Sequence, residues 1–399
     1  MLTTKKFKVH PNEKAKIQFN ELSELGRCIY NEFLKRRIDS YEATKTTPNF
    51  YQQCRELTIF RHENAKFEQL RATSCQAVLG RLEANFRSFF ALRKNGRKAS
   101  IPRFRGKDYF FTLDWFTSGY KINKNRILTL SQGRGYEKIQ IQLPRDYGTP
   151  LEKIRQVSVK YDGKDFWVMI TGDIEANEYQ DNEKYIAIDA GVTNIATILS
   201  SDGELEVVAN NDFLKNDKIA DTLRGFVAKK KKGSKRYLRA QEKYRKLRRK
   251  TSNQRKNFQH HVAKNIVQHF DANTIFVEDL DVQNMAQTNT HWHKLNRKTQ
   301  NTGSMTSFLH LLANKAVKIG KKEVAVNARG TSSNCHNCDK THHLELWERT
   351  MICDCGVTVD RDVNACINIM LRGFEKIQLP MSTGYRFKES IRHITRIAA

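Results

Sequence analysis

The chain has 399 residues, enough at about 150 residues per domain for two or three domains. Lys and Arg number 70 against 43 Asp and Glu, a formal net charge of +27, which points to a polyanionic partner, either nucleic acid or an acidic membrane surface. A hydrophobic content of 39% suits a folded protein. No apolar run approaches the roughly 18 residues that span a bilayer, and Met1–His10 carries no apolar signal core, which excludes membrane insertion and secretion.

The first strand is expected at Lys5–Val9. Residues 16–95 then read as helices: Ile17, Leu22, Leu25, Ile29 and Phe33 recur at about 3.6 residues, as do Val78, Leu82, Phe86 and Phe90. The polar stretch Thr44–Asn49 with Pro48 breaks the pattern, and Lys94–Gly106 reads as a basic loop. From Tyr109 to Ile174 short alternating runs replace it. Gln156–Tyr161 and Phe166–Thr171 flank an Asp-Gly turn, as in a hairpin. This is expected to be a small β-domain or barrel, with the helices inserted after its first strand. The polar, acidic segment Glu175–Glu183 is a linker.

The remainder is α/β in character. Strands are expected at Tyr185–Asp189, Ile195–Leu199, Leu205–Val208, Thr274–Glu278 and Glu323–Asn327. Residues 224–256 contain 16 Lys or Arg and one acid, Glu242. So many like charges repel unless an anion lies alongside, although a solvated charged helix is the plainer reading. Tyr237, Tyr244 and Leu247 make one face of that helix partly apolar.

Three acids stand at element ends: Asp189 and Glu278 close strands, and Asp362 opens a helical run over Val363–Met370. Clustered carboxylates cannot all ionise without cations. Two Mg²⁺ ions roughly 4 Å apart would resolve that and clamp a phosphodiester for attack by water. Each acid also has a plainer role: a turn former, a strand end and an N-cap. Asp279 and Asp360 stand close enough to substitute for the last two.

Of eight cysteines, Cys28, Cys54 and Cys75 are scattered and read as buried apolar side chains. Cys335-His-Asn-Cys338 and Cys353-Asp-Cys355 bracket a short loop, as the two turns of a tetrahedral Zn²⁺ site do. The second pair is CxC rather than CxxC, which leaves room for His336, His342 or His343 as a ligand. A closed four-cysteine shell is structural, since it leaves no position for water. Cys366 reads as core, and His291-Trp-His293 as a surface turn.

Taken in order, these features resemble the TnpB family of insertion-sequence-encoded RNA-guided nucleases, related to compact type V CRISPR effectors. The matching stretches are Ile188-Asp-Ala-Gly191, Phe276-Val-Glu-Asp-Leu280, Thr331-Ser-Ser-Asn-Cys-His-Asn-Cys338, Cys355-Gly356, Asp360-Arg-Asp-Val-Asn-Ala365 and Asn368-Ile369. Looser matches are Tyr30-Asn31, Gln76–Phe90, Ile101-Pro-Arg-Phe-Arg105, Lys232-Gly-Ser-Lys-Arg236 and Lys256-Asn-Phe258. Departures are the CxC pair, Asp339 where Gly often follows the first pair, and Cys366 in place of a small Ala.

The resemblance implies an α+β multidomain chain. A wedge-like β-barrel (1–15 and 96–180) would carry a helical recognition insertion (16–95). An RNase H-like RuvC nuclease domain (181–330 and 356–374) would hold an inserted zinc ribbon (331–355), with a C-terminal tail (375–399). It implies Asp189, Glu278 and Asp362 as catalytic acids on two Mg²⁺, and Cys335, Cys338, Cys353 and Cys355 on one structural Zn²⁺. The implied partners are a guide RNA, a double-stranded DNA target and its displaced strand. Guide pairing would read the sequence, beside a short target-adjacent motif, in a prokaryotic cytoplasm. Three alternatives share features: a compact CRISPR effector, a nuclease-inactive RNA-guided repressor, and a DDE-type transposase. The last calls for a helix-turn-helix domain, for which no candidate is apparent.

Overall fold

The computed structural model describes residues 1–107, 109–144, 153–191, 193–210, 213–280, 305–345 and 347–397. His291-Trp-His293 lies outside them. Two compact units divide between Glu175 and Ala176, at the start of the acidic linker.

In the first unit, β1 (Leu2–Val9) pairs antiparallel with β7 (Phe166–Asp173), which pairs with β6 (Ile154–Tyr161), and β6 with β2 (Leu113–Phe116). The chain between β1 and β2 forms helices α1 (Glu13–Thr44), α2 (Phe50–Glu63) and α3 (Ala72–Lys94). The helical block is therefore an insertion, as expected. Asn12 caps α1 and Asn49 caps α2 through a capping box, so the break falls around Pro48. Phe19 of α1 meets Trp115 and Phe166 of the sheet, with ring centroids 6.3 and 5.8 Å apart. The helical phase differs from expectation at both ends: Ile17 and Phe90 are exposed, while Ala15, Phe19 and Leu22 carry the buried stripe of α1.

A second sheet of this unit is the meander β3 (Tyr120–Ile122), β4 (Ile127–Leu130) and β5 (Ile139–Gln142). The expected barrel does not close among the described residues. The two sheets share no strand pairing, and β1 and β2 remain edges of theirs. Strands of three and four residues form too few ladder bonds to bridge from one sheet to the other.

The second unit is a five-stranded mixed sheet in the order β10-β9-β8-β11-β12. Its strands are β8 (Tyr185–Asp189), β9 (Asn194–Ser200), β10 (Leu205–Ala209), β11 (Thr274–Asp279) and β12 (Lys322–Asn327). Strand β9 runs antiparallel to both its neighbours, β8 and β10, and β8, β11 and β12 are parallel. Period-two alternation sorts the side chains. Ile186, Ile188, Ile275 and Val277 pack on α5 (Lys235–His269) and α6 (Met305–Lys318), through Val262, Ile266, Phe308 and Leu312. Tyr185, Ala187 and Phe276 pack on the other face against α7 (Arg361–Lys376), through Ile367, Met370 and Phe374.

That helix lies close to the sheet. A Cβ at Gly373 would stand 2.4 Å from the Phe276 ring, which makes the glycine a packing requirement. The basic segment folds as α4 (Phe213–Ala228) and α5, the latter capped by Ser234. Tyr237, Tyr244 and Leu247 are half-buried around a buried Ala240, as their spacing predicted.

The described part of the C-terminal tail, residues 375–397, packs back on the sheet domain. Helices α8 (Met381–Ser390) and α9 (Arg392–Ile397) follow α7. An aromatic row runs from Tyr185 through Phe276 and Phe374 to Phe387, with centroids 5.7 to 5.9 Å apart. Gly203, at φ +88°, brings the β9–β10 turn against the Ser390 carbonyl. Sequence periodicity missed this packing because, among the described residues of the segment, only Phe387 and Ile391 are deeply buried.

Candidate nuclease site and cysteine centre

Strand register brings the first two acids together. Val277 lies opposite Ile188 in parallel strands, so Glu278 and Asp189, one residue further on, reach the same sheet edge. Alternation turns both toward α7, with Ala187 and Phe276, while Asp279 is exposed. Asp362 arrives from the first turn of that helix. Burial pushes the Asp189 carboxyl well above the usual carboxylate range, and the charges of Glu278 and Asp362 push the same way. Glu278 is raised by burial as well, opposed by the Thr331 hydroxyl bonded to it and by Arg372. The charges of Glu278 and Asp362 thus both reach Asp189.

The N-cap alternative for Asp362 is resolved by its neighbour. The Asp360 carboxylate accepts the backbone N–H groups of Asp362 and Val363, at 2.8 and 3.2 Å. Asp362 is left to side-chain partners: Asn194 Nδ2 at 3.2 Å and Arg349 Nη1 at 3.4 Å. The Arg349 guanidinium also donates to Thr193 Oγ1 at 3.1 Å. The sequence did not single out Arg349, Asn194 or Thr331 for a role at the acids, because their approach depends on the fold. Cys366 is fully buried within α7 and donates to the Thr197 carbonyl, so it is core as expected.

The cysteines converge. Sγ atoms of Cys335, Cys338, Cys353 and Cys355 all lie within 4.8 Å of one another. Two of the separations are 3.7 and 3.4 Å, against about 3.8 Å for the edge of a tetrahedron with metal–sulfur bonds of about 2.3 Å. The four thiols thus fit a metal ion. The metal-compatible group among the described residues contains the four cysteines and no histidine, while the N–H and Nδ1 of His336 bond Asn364 Oδ1 at 3.1 and 3.0 Å.

Asp339 adopts φ +60°, the left-handed conformation for which glycine is the usual residue. Its carboxylate accepts from Asn334 Nδ2 at 3.0 Å, the kind of local bond that lets Asp tolerate this region. The short CxC turn closes through Gly356 N–H to the Cys353 carbonyl at 3.0 Å, with Gly356 at φ +87°. Its hairpin, β13 (Thr350–Ile352) and β14 (Thr358–Asp360), runs directly into α7, so the centre and Asp362 share one continuous segment.

Comparison with known proteins matches three family models in chain order. Residues 1–46 match a "Helix-turn-helix domain", 155–289 a "Probable transposase" and 306–369 a "Cas12f1-like, TNB domain". A protein of Streptomyces pristinaespiralis named "Putative RNA-guided DNA endonuclease" is 24% identical over 92% of this chain and 88% of its own. The "TnpB-like protein L79" of Acanthamoeba polyphaga mimivirus is 28% identical over 47% of this chain and 37% of its own. The chain is thus similar in sequence to RNA-guided DNA endonuclease and TnpB-like relatives.

The fold also resembles that of Cas12f1 in a cryo-EM complex with sgRNA and target DNA. The TM-score is 0.64 at 14% identity, covering 92% of this chain and 98% of the other. The likeness is of fold. Residues 1–46, where no helix-turn-helix was apparent in the sequence, match a model of that description. Over that stretch the structure has strand β1 and the uninterrupted helix α1.

Proposed function

We propose that this chain is an RNA-guided DNA endonuclease of a transposable element, which cuts DNA beside a short adjacent motif by metal-dependent phosphodiester hydrolysis. The observation that carries the reading is that strand register brings Asp189 and Glu278 to the same end of the sheet, with Asp362 near enough for its charge to act on Asp189. The sheet order supports an RNase H-like nuclease: numbered from β8, it is 3-2-1-4-5, with the second strand antiparallel. The names borne by full-length relatives support RNA guidance.

Asp189, Glu278 and Asp362 would hold Mg²⁺, which when bound activates water and offsets charge on the cleaved phosphate. The chain's own groups supply the rest. Glu278 and Asp189 are set by strand register, and Asp362 by the Asp360 cap. Arg349, within reach of Asp362, adds a cation at the rim of the site. The 16 Lys and Arg of residues 224–256 suit a nucleic-acid backbone and encode no sequence, consistent with specificity residing in a guide. The four thiols would hold Zn²⁺ as a closed structural centre, supporting a zinc ribbon.

The test begins with expression from native flanking DNA and sequencing of RNA that copurifies. One discrete RNA with a structured body and a variable end is expected, and matched duplex should be cut with Mg²⁺. Asp189→Ala should retain the RNA and lose cutting. Heterogeneous RNA, or cutting by Asp189→Ala at the wild-type rate, would sink the proposal.

A further inference from the structure

Asn364 and Asn368 stand one turn apart on α7, almost fully buried, and neither serves its own helix. Asn368 Nδ2 donates to the carbonyls of Thr331 and Asn334, both at 2.8 Å. Asn364 Nδ2 donates to the same Asn334 carbonyl at 2.8 Å, while its Oδ1 accepts the His336 backbone N–H at 3.1 Å. Buried amides so fully engaged hold their partners firmly, since a broken bond would strand a polar group out of water. What they hold is the backbone from Thr331 to His336, the lead-in to the first cysteine turn.

From that backbone the buried Thr331 side chain reaches Glu278 and donates its hydroxyl to Oε1. The Ala328 carbonyl lies 3.0 Å from the Thr331 Oγ1. A hydroxyl has one proton, and an ionised carboxylate is the stronger acceptor. A chain of contacts therefore runs from α7 through the cysteine turn to an acid on β11. Asp362 stands at the start of the same helix.

We propose that Thr331 is a positioning residue for Glu278, and that Asn364 and Asn368 lock it there, so that the cysteine turn sets the metal-binding acids as well as its own fold. The inference rests on the reading of Glu278 as a metal-binding acid. Engaging one carboxylate oxygen fixes the side-chain rotamer and leaves the remaining lone pairs for a cation.

The experiment uses the full chain with its guide RNA, with Mn²⁺ as a spectroscopic probe titrated by electron paramagnetic resonance, and target cutting followed in parallel. Thr331→Val keeps the shape and removes the hydroxyl, and Thr331→Ser keeps the hydroxyl. Thr331→Val should weaken Mn²⁺ binding by about 10- to 100-fold, with zinc content and guide affinity retained. Thr331→Ser should recover most of the loss. Wild-type Mn²⁺ affinity in Thr331→Val, or a Thr331→Ser as weak as Thr331→Val, would overturn the inference. Should Thr331→Val fail to fold, Thr331→Ala, which only removes atoms, gives the same readout. Glu278→Gln is run alongside: if it binds Mn²⁺ and cuts like the wild type, the functional reading itself falls.

Discussion

Asp360 accepts the backbone N–H of Asp362 at 2.8 Å, so two acids two residues apart divide the work at one helix start. The first caps the helix, and the second keeps its carboxylate for Asn194 and Arg349. Asp360→Ala should cost about 0.5–2 kcal/mol of stability, as lost N-caps do, and lower cutting through misplacement of Asp362. Asp362→Asn should melt within a few degrees of the wild type and cut no DNA. Thermal melts of both variants beside cleavage assays check the pair, and equal melting with equal activity loss would contradict the division.

Asp189 should destabilise the metal-free protein. Its folded carboxyl titrates well above the ordinary 3.8 because of burial and the charges of Glu278 and Asp362. The folded state therefore binds the extra proton, and metal-free stability falls as pH rises from about 4 through the raised value. Asp189→Asn removes the charge, so without metal at pH 7.5 it should melt above the wild type while losing cleavage. Mg²⁺ should raise the wild-type melting temperature more than that of the variant. Calorimetry at pH 5 and 7.5, with and without Mg²⁺, decides it.

The four cysteines should act as a set. Cys335→Ser or Cys353→Ser should lower bound zinc from one equivalent toward none, measured by elemental analysis, with loss of cooperative melting of the hairpin and of cutting. Cys366→Ala should keep its zinc, because that thiol is bonded to the Thr197 carbonyl in the core. Equal zinc loss in Cys366→Ala would break the assignment.

Glu323 on β12 carries a buried carboxylate oxygen with no hydrogen-bond partner, and burial pushes its carboxyl up to about 7. A raised acid contributes most stability while protonated and loses it as pH rises from about 4.5 through 7. Glu323→Gln should therefore gain up to about 3 kcal/mol over the wild type at pH 8, and little at pH 5. Denaturant melts at the two values measure the difference.

Much of this architecture is legible in the chain. Strands such as Tyr185–Asp189 and Thr274–Asp279 are short buried runs bounded by turns, and their ends name Asp189 and Glu278. The cysteine spacing names all four thiols. Less legible were features that depend on distant partners. The phase of α1 was misread at Ile17, because the stripe is set by Trp115 and Phe166 on strands about 100 residues or more away in the sequence. The barrel was expected from alternation, but alternation marks faces and says nothing of whether two sheet edges pair.

The sequence alone placed most of the strands and helices, the charge that calls for a polyanion and the thiol set, because periodicity and spacing are local properties, while its resemblance to the TnpB family picked out the three acids. Only the tertiary structure made Asp360 the helix cap, placed Arg349 and Asn194 beside Asp362 and Thr331 beside Glu278, and packed the last helices on the sheet. Those outcomes follow from strand register, helix approach and which carbonyls a buried asparagine can reach. Such contacts are non-local, so no window of sequence contains them.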